Sequence, residues 1–149
     1  MPKELSCFLI DNDIDDQEIF ALALQEIDNA ISYRVANDGV SAIKKLTADT
    51  TYKPSFIFID LNMPLMNGKQ CLREIKQLPH LSEVPVYIYS TAADPRSIKE
   101  VKQSEATGFV IKPPSFNELV TILTKILLPQ NLPANYNQER KLFLPGELQ

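Results

Sequence analysis

The sequence predicts an α/β protein in which five strand–helix units form a doubly wound parallel sheet. Short apolar runs alternate with amphipathic stretches over the first 128 residues, a pattern that is typical of repeated βα units. Turn residues separate these segments, as in Asp38-Gly39 and Asn67-Gly68. With 149 residues the chain is long enough to bury a core without a metal or disulfide bonds. We therefore expect one domain over residues 1–128.

Five apolar runs are predicted as strands. They are residues 6–10, 31–36, 56–59, 84–89 and 108–111. The second run alternates Ile31, Tyr33 and Val35 with polar residues, which indicates an edge strand with one wetter face. The third run is apolar throughout, so we expect it to be buried on both faces until it stops at Asp60.

A helical pattern follows each predicted strand. The helices are the stretch from the acidic loop 11–16 to Ile27, and then residues 39–46, 68–78, 95–106 and 115–128. Asp15 or Asp16 is expected to cap the first helix, because a carboxylate accepts the free N–H groups there. Pro95 suits a first helical position, and Ser115 with Glu118 fits a capping box.

The alternation of strands and helices ends at Pro129. Residues 129–149 are predicted to form an extended, proline-containing tail, which is too short for a DNA-binding or catalytic output domain. Its one apolar cluster is Leu142-Phe143-Leu144. This cluster would tether the tail either to the domain or to a partner.

Charge and composition argue against several functions. The net charge of −4 and the pI near 5.0 disfavour direct DNA binding, which needs clustered Lys and Arg. No apolar stretch is long enough to span a bilayer and the N-terminus lacks a secretory signal, so we expect a cytoplasmic protein without a membrane partner. Cys7 and Cys71 lack metal-ligand spacing, and we expect buried thiols rather than a disulfide.

Polar side chains follow four of the five predicted strands. Asp11, Asn12 and Asp13 follow the first, Asp60 the third, Ser90 and Thr91 the fourth, and Lys112 the fifth. Right-handed βα connections place these strand ends on one edge of the sheet. Neighbouring carboxylates repel one another unless a cation neutralises them, and oxygen ligands select a hard ion such as Mg²⁺. A carboxylate held there can attack a phosphoryl group, while a lysine and a hydroxyl stabilise the phosphoryl oxygens. Asp60, Lys112 and Ser90 match these three catalytic roles in kind.

Four segments, taken in order, resemble the receiver domain of two-component response regulators. They are Phe8-Leu9-Ile10-Asp11-Asn12-Asp13, Phe58-Ile59-Asp60-Leu61-Asn62-Met63-Pro64 with Gly68, Tyr89-Ser90-Thr91-Ala92, and Val110-Ile111-Lys112-Pro113. The resemblance covers about residues 5–128 and is to regulators that consist of a single domain. It implies a flavodoxin-like sheet with strand order 2-1-3-4-5 and five flanking helices. It also implies a phosphoryl-accepting signalling protein that is not an enzyme in the usual sense.

The resemblance assigns roles around the phosphate. Asp60 would be the phosphoacceptor, taking phosphate from a histidine kinase or a phosphotransfer protein. Mg²⁺ would be bound by Asp11, Asn12, Asp60 and the backbone carbonyl of Asn62. Lys112 would pair with the phosphate, and the Lys112–Pro113 peptide bond would be cis.

The resemblance also implies a switch. Ser90 would close on the phosphate and Phe109 would pack inward upon phosphorylation. The change would alter the face made by the fourth helix, the fifth strand and the fifth helix, where a downstream protein partner would bind.

Two residues depart from the family pattern. Asn12 stands where the family usually has its second acidic metal ligand, so Mg²⁺ binding should be weaker, and Asp13 is an alternative ligand. Phe109 replaces a residue that is often tyrosine. Asn12 keeps open a second function, a pseudo-receiver that binds a partner without phosphorylation. An aspartate-nucleophile phosphatase is a third reading, but such enzymes need a second aspartate where this chain has Asn62.

Overall fold

Parallel strands and helices alternate along the chain in the computed structural model, which describes residues 4–91, 94–128 and 142–143. The strands are β1 (Ser6–Ile10), β2 (Ser32–Ala36), β3 (Phe56–Ile59), β4 (Val86–Ser90), β5 (Gly108–Ile111) and β6 (Leu142–Phe143). The helices are α1 (Ile14–Ile27), α2 (Gly39–Ala48), α3 (Gly68–Lys76), α4 (Pro95–Lys102) and α5 (Phe116–Leu127), with a 3₁₀ turn at Pro79–Leu81. The strand order is β2-β1-β3-β4-β5-β6. The predicted order of the first five strands is therefore confirmed, and β2 lies at an edge.

The sixth strand was not predicted. Leu142 and Phe143 pair in parallel with Phe109 and Val110 of β5. For these two residues the structure supports the tether to the domain rather than to a partner. The rest of the predicted tail, residues 129–141 and 144–149, lies outside the described residues.

Two apolar layers cover the sheet. Side chains of α1 and α5 pack on one face, where Phe20 of α1 makes edge contacts with Phe58 and Tyr89 at ring-centroid distances of 5.0 and 5.4 Å. Side chains of α2, α3 and α4 pack on the other face. Alternation along each strand sends successive side chains into opposite layers, so the central strands are buried on both faces, as their composition predicts. No helix in the part of the chain that the structure describes is long and apolar enough to cross a membrane.

The two cysteines lie on opposite faces of the sheet, and both are free and buried, as predicted. Burial raises the pKa of Cys7 and of Cys71 to about 12. Both thiols are therefore protonated near neutral pH and act as small apolar side chains.

Several element ends differ from the sequence prediction. Asp13, rather than Asp15 or Asp16, caps α1, because its carboxylate accepts the N–H of Asp16 at 3.1 Å. α3 ends before residue 78, since Pro79 disfavours helical geometry in the residue before it. α4 also ends earlier than residue 106, at Lys102. Just beyond it, the hydroxyl of Ser104 donates to the carbonyl of Val101, a local side-chain bond that competes with continuation of the helix.

The start of α5 agrees with the prediction. Ser115 is the N-cap, and its hydroxyl accepts the N–H of Glu118 at 3.1 Å. Pro95 likewise occupies a first-turn position of α4, after the cap Asp94. These local signals depend on neighbouring residues alone, so the sequence is enough to locate them.

Candidate functional site

Backbone hydrogen bonds bring three polar side chains to the carboxyl edge of the sheet. The N–H of Asp11 donates to the carbonyl of Ala36 at 3.1 Å, and that of Asp60 donates to Ile10 at 2.9 Å. The N–H of Lys112 donates to Ser90 at 3.0 Å. Each bond extends the strand ladder by one residue. The side chains of Asp11, Asp60 and Lys112 therefore meet, as the order of the strands predicts.

The Lys112 ammonium is the centre of this group. Its Nζ lies 2.8 Å from Oδ2 of Asp11, 2.7 Å from Oδ2 of Asp16 and 3.4 Å from Oδ2 of Asp60. The side chain of Lys112 is 9% exposed and that of Asp11 is fully buried. Tyr89 adds an aromatic face, with its ring centroid 5.1 Å from the same Nζ. A single, largely buried ammonium group therefore forms ion pairs with three carboxylates.

Asp16 is the member of this group that sequence reasoning missed, since we expected it only as a helix cap. It lies in the first turn of α1, four residues before the buried Phe20. Residues four apart share a helix face, so Asp16 lies on the side of α1 that faces the domain. That spacing is a signal in the sequence that could have singled it out.

Burial and neighbouring charges shift the pKa values of Asp11 and Lys112. Burial raises the pKa of Asp11, and the hydrogen bonds from Lys112 and from the N–H of Asp13 offset only part of that rise. Burial alone would lower the pKa of Lys112, but its hydrogen bonds to Asp11 and Asp16 outweigh this, so the pKa is raised. Lys112 therefore stays charged throughout the physiological pH range.

The start of α3 fixes the backbone of Asp60. The N–H of Gly68 donates to the carbonyl of Leu61 at 3.0 Å, and the N–H of Asn62 donates to Oδ1 of Asp60 at 3.2 Å. A Cβ added at Gly68 would lie 2.5 Å from the carbonyl oxygen of Asp60 and 2.8 Å from Cα of Leu61. Only glycine allows α3 to begin this close to the acid.

Gly68→Ala is expected to lower stability by about 1–3 kcal/mol, because backbone atoms cannot move away as a flexible side chain can. It should also slow any reaction at Asp60 by shifting its backbone. Gly39→Ala is the matched control, since the atoms nearest to a Cβ there belong to the side chain of Met66, at 3.1 Å and beyond. Urea unfolding measures the difference. Equal midpoints for the two variants would contradict this account of Gly68.

The other residues predicted for the site lie around this group. Ser90 is fully buried at the end of β4, which extends one residue further than expected. Asn12, Asp13 and Asn62 are exposed, and the Asp13 carboxylate is engaged in capping α1. Phe109 is buried among the side chains between the sheet and the layer of α2, α3 and α4.

The prediction of a cis Lys112–Pro113 bond is wrong, since all peptide bonds in the described ranges are trans. The trans form is favoured even before proline, by about 0.5–1 kcal/mol. With this bond trans, Lys112 still contacts Asp11, Asp16 and Asp60.

The acidic side chains at this edge are of the kind that binds a hard cation. Asp11 and Asp60 supply carboxylate oxygens, the ligand type that Mg²⁺ prefers. Within the described ranges, no three acidic, histidine or cysteine side chains form a ready metal cage. Lys112 instead contacts the carboxylates of Asp11, Asp16 and Asp60. Asp11 and Asp60 are therefore the side chains of this group that would hold Mg²⁺.

A doubly wound sheet with an acid and a lysine at its carboxyl edge is the arrangement that the sequence analysis expected of a receiver domain. The model of the response regulator receiver domain matches residues 7–124, so the chain belongs to that family. Phosphorylation and Mg²⁺ are general features of the family.

Curated relatives share modest identity with the chain. It is 29% identical over 121 residues to a probable transcriptional regulator, ycf29, of Pyropia yezoensis, covering 80% of this chain. It is 26% identical over 140 residues, or 92% of this chain, to the peroxide stress-activated histidine kinase mak1 of Schizosaccharomyces pombe. The match spans 51% of the length of the first relative and 8% of the second.

Solved structures share the fold. The chemotaxis response regulator CheY4 of Vibrio cholerae superposes with a TM-score of 0.71 at 23% identity, covering 83% of this chain and 99% of that one. The Mn²⁺-bound form of response regulator Rcp1 superposes with a TM-score of 0.74 at 23% identity, covering 87% and 99%.

Proposed function

We propose that this chain is a phosphoryl-accepting response regulator whose nucleophile is Asp60. The observation that carries the proposal is the contact of Asp60 Oδ2 with Lys112 Nζ at 3.4 Å, at the edge where four strand ends meet. The carboxylate is largely buried, yet it retains some exposure, so a donor can approach it. A nearby fixed ammonium stabilises the negative charge of an incoming phosphoryl group.

The donor would be a phosphohistidine of a histidine kinase or of a phosphotransfer protein. An Asp60 carboxylate oxygen attacks phosphorus, the P–N bond breaks, and the imidazole leaves with a proton from solvent, which yields an acyl phosphate. Asp11 and Asp60 would hold Mg²⁺, and the backbone carbonyl of Asn62 and the side chain of Asn12 are further candidates from the sequence. When bound, Mg²⁺ neutralises phosphoryl oxygens.

The output would be a shift in conformation rather than turnover of a substrate. A phosphoryl group at Asp60 favours whichever state binds it better. The proposed contacts of this group are Lys112 and Ser90, which is buried at the end of β4. Phe109 already packs inward, so the shift would stabilise an arrangement that the chain can adopt before phosphorylation. The face of α4, β5 and α5 would carry the signal to a protein partner rather than to DNA, in keeping with the acidic charge.

Labelling by a small acyl phosphate tests this function. Wild-type chain incubated with acetyl phosphate and Mg²⁺ should gain the mass of one phosphoryl group, and chelation of Mg²⁺ should prevent the gain. Hydroxylamine should remove the label, since it cleaves acyl phosphates but not phosphoserine or phosphothreonine. An unchanged mass under all conditions would instead favour the pseudo-receiver, which binds its partner without phosphate. Rapid hydrolysis of a phosphomonoester would favour a phosphatase.

A further inference from the structure

Asp16 makes the shortest of the three ion pairs to Lys112. Its Oδ2 lies 2.7 Å from Nζ, whereas Oδ2 of Asp60 lies 3.4 Å away. The side chain of Asp16 is 32% exposed, so it lies at the border of the site and is neither buried nor free in solvent. Its position is fixed from two sides, since its own N–H donates to the N-cap Asp13.

Asn12, the loop residue next to Asp11, carries no charge. Asn12 is exposed, and Asp13 next to it caps α1. The carboxylates that contact Lys112 are those of Asp11, Asp16 and Asp60. Without Asp16, the positive charge of Lys112 would face only the carboxylates of Asp11 and Asp60. The group would then carry less net negative charge to attract a divalent cation.

We propose that Asp16 is a positioning residue of the phosphoryl-acceptor site, which supplies from α1 the negative charge that Asn12 does not. It draws Lys112 towards α1 and away from Asp60, and it raises the attraction of the site for Mg²⁺. This inference rests on the function proposed for Asp60. It assigns Asp16 an electrostatic role through Lys112, without direct contact with phosphate.

The test compares Asp16→Asn with Asp15→Asn in Mg²⁺ titrations followed by calorimetry and by backbone amide shifts. Asp15 is the exposed neighbour, and its substitution removes the same charge one residue from the site. Asp16→Asn should weaken Mg²⁺ binding about tenfold, as expected for one carboxylate acting on a divalent cation through water. Asp15→Asn should bind within about twofold of wild type, because an exposed charge further away is screened.

Rescue distinguishes charge supply from a merely structural role. Adding Asn12→Asp to Asp16→Asn should restore Mg²⁺ affinity, since the second substitution returns a carboxylate to the same site. In phosphorylation by acetyl phosphate, Asp16→Asn should raise the Mg²⁺ concentration that gives the half-maximal rate.

The outcomes separate the two proposals. If wild type accepts phosphate but Asp16→Asn binds Mg²⁺ as Asp15→Asn does, the role of Asp16 is refuted and that of Asp60 stands. Failure of Asn12→Asp to rescue Asp16→Asn would also refute it. If wild type neither binds Mg²⁺ nor accepts phosphate, both proposals fall.

Discussion

Phosphorylation is expected to fall to background when Asp60 is replaced by asparagine. The amide has almost the same shape as the carboxylate. In the wild-type chain the N–H of Asn62 donates to Oδ1 of Asp60 at 3.2 Å, and the amide oxygen of the variant can still accept this bond. The fold should therefore be retained. The neutral amide cannot attack phosphorus as a carboxylate anion does.

The loss of phosphorylation is measured from the intact mass of the protein after treatment with acetyl phosphate and Mg²⁺. Asp15→Asn provides the control, because it removes an equally sized carboxylate that is exposed. Labelling of Asp60→Asn at the wild-type rate would show that another residue is the acceptor.

Replacing Lys112 by methionine is expected to lower both phosphorylation and stability. Methionine fills a similar volume but leaves the fully buried Asp11 without its cation. An uncompensated buried charge typically costs about 3–5 kcal/mol. Lys69→Met is the matched control, since Lys69 pairs with Glu100 while 44% exposed, and such pairs contribute about 0–1 kcal/mol.

The pH dependence gives this prediction a second check. Burial already raises the pKa of Asp11 above its usual value, and loss of Lys112 should raise it further. The folded variant then binds a proton more tightly than its unfolded chain, so its stability decreases as pH rises through the folded pKa. Urea unfolding should show a larger deficit for Lys112→Met at pH 7.5 than at pH 5. A deficit independent of pH, or equal to that of Lys69→Met, would contradict the assignment of Lys112 as the counter-ion of a buried acid.

The residues that sequence analysis located best are those attached directly to strands. Asp11, Asp60 and Lys112 each follow an apolar run, and parallel strands bring their carboxyl ends to one edge of the sheet. Their meeting could be predicted without knowing any helix orientation. The strand order itself came from the family resemblance, since apolar runs alone do not determine which strands are neighbours.

The role of Asp16 could not be read in the same way. An acid near the start of a helix fits capping as well as an ion pair, and the spacing to Phe20 indicates only which side of α1 Asp16 lies on, without naming Lys112 as its partner. Asp13 caps the helix because α1 begins at Ile14, earlier than expected. The roles of Ser90 and Phe109 as a switch stay predictions, because they concern a second state of the molecule.

The short strand β6 alters what the sheet presents to other molecules. An uncovered β5 would leave backbone N–H and C=O groups of Phe109 and Val110 available to a strand from another chain, a common route to aggregation. Leu142 and Phe143 occupy this position through parallel pairing. Among the described residues, the outermost strand on that side is two residues long and offers few backbone groups to a further strand. Through these two residues the chain itself occupies part of the β5 edge that a strand of another molecule would use.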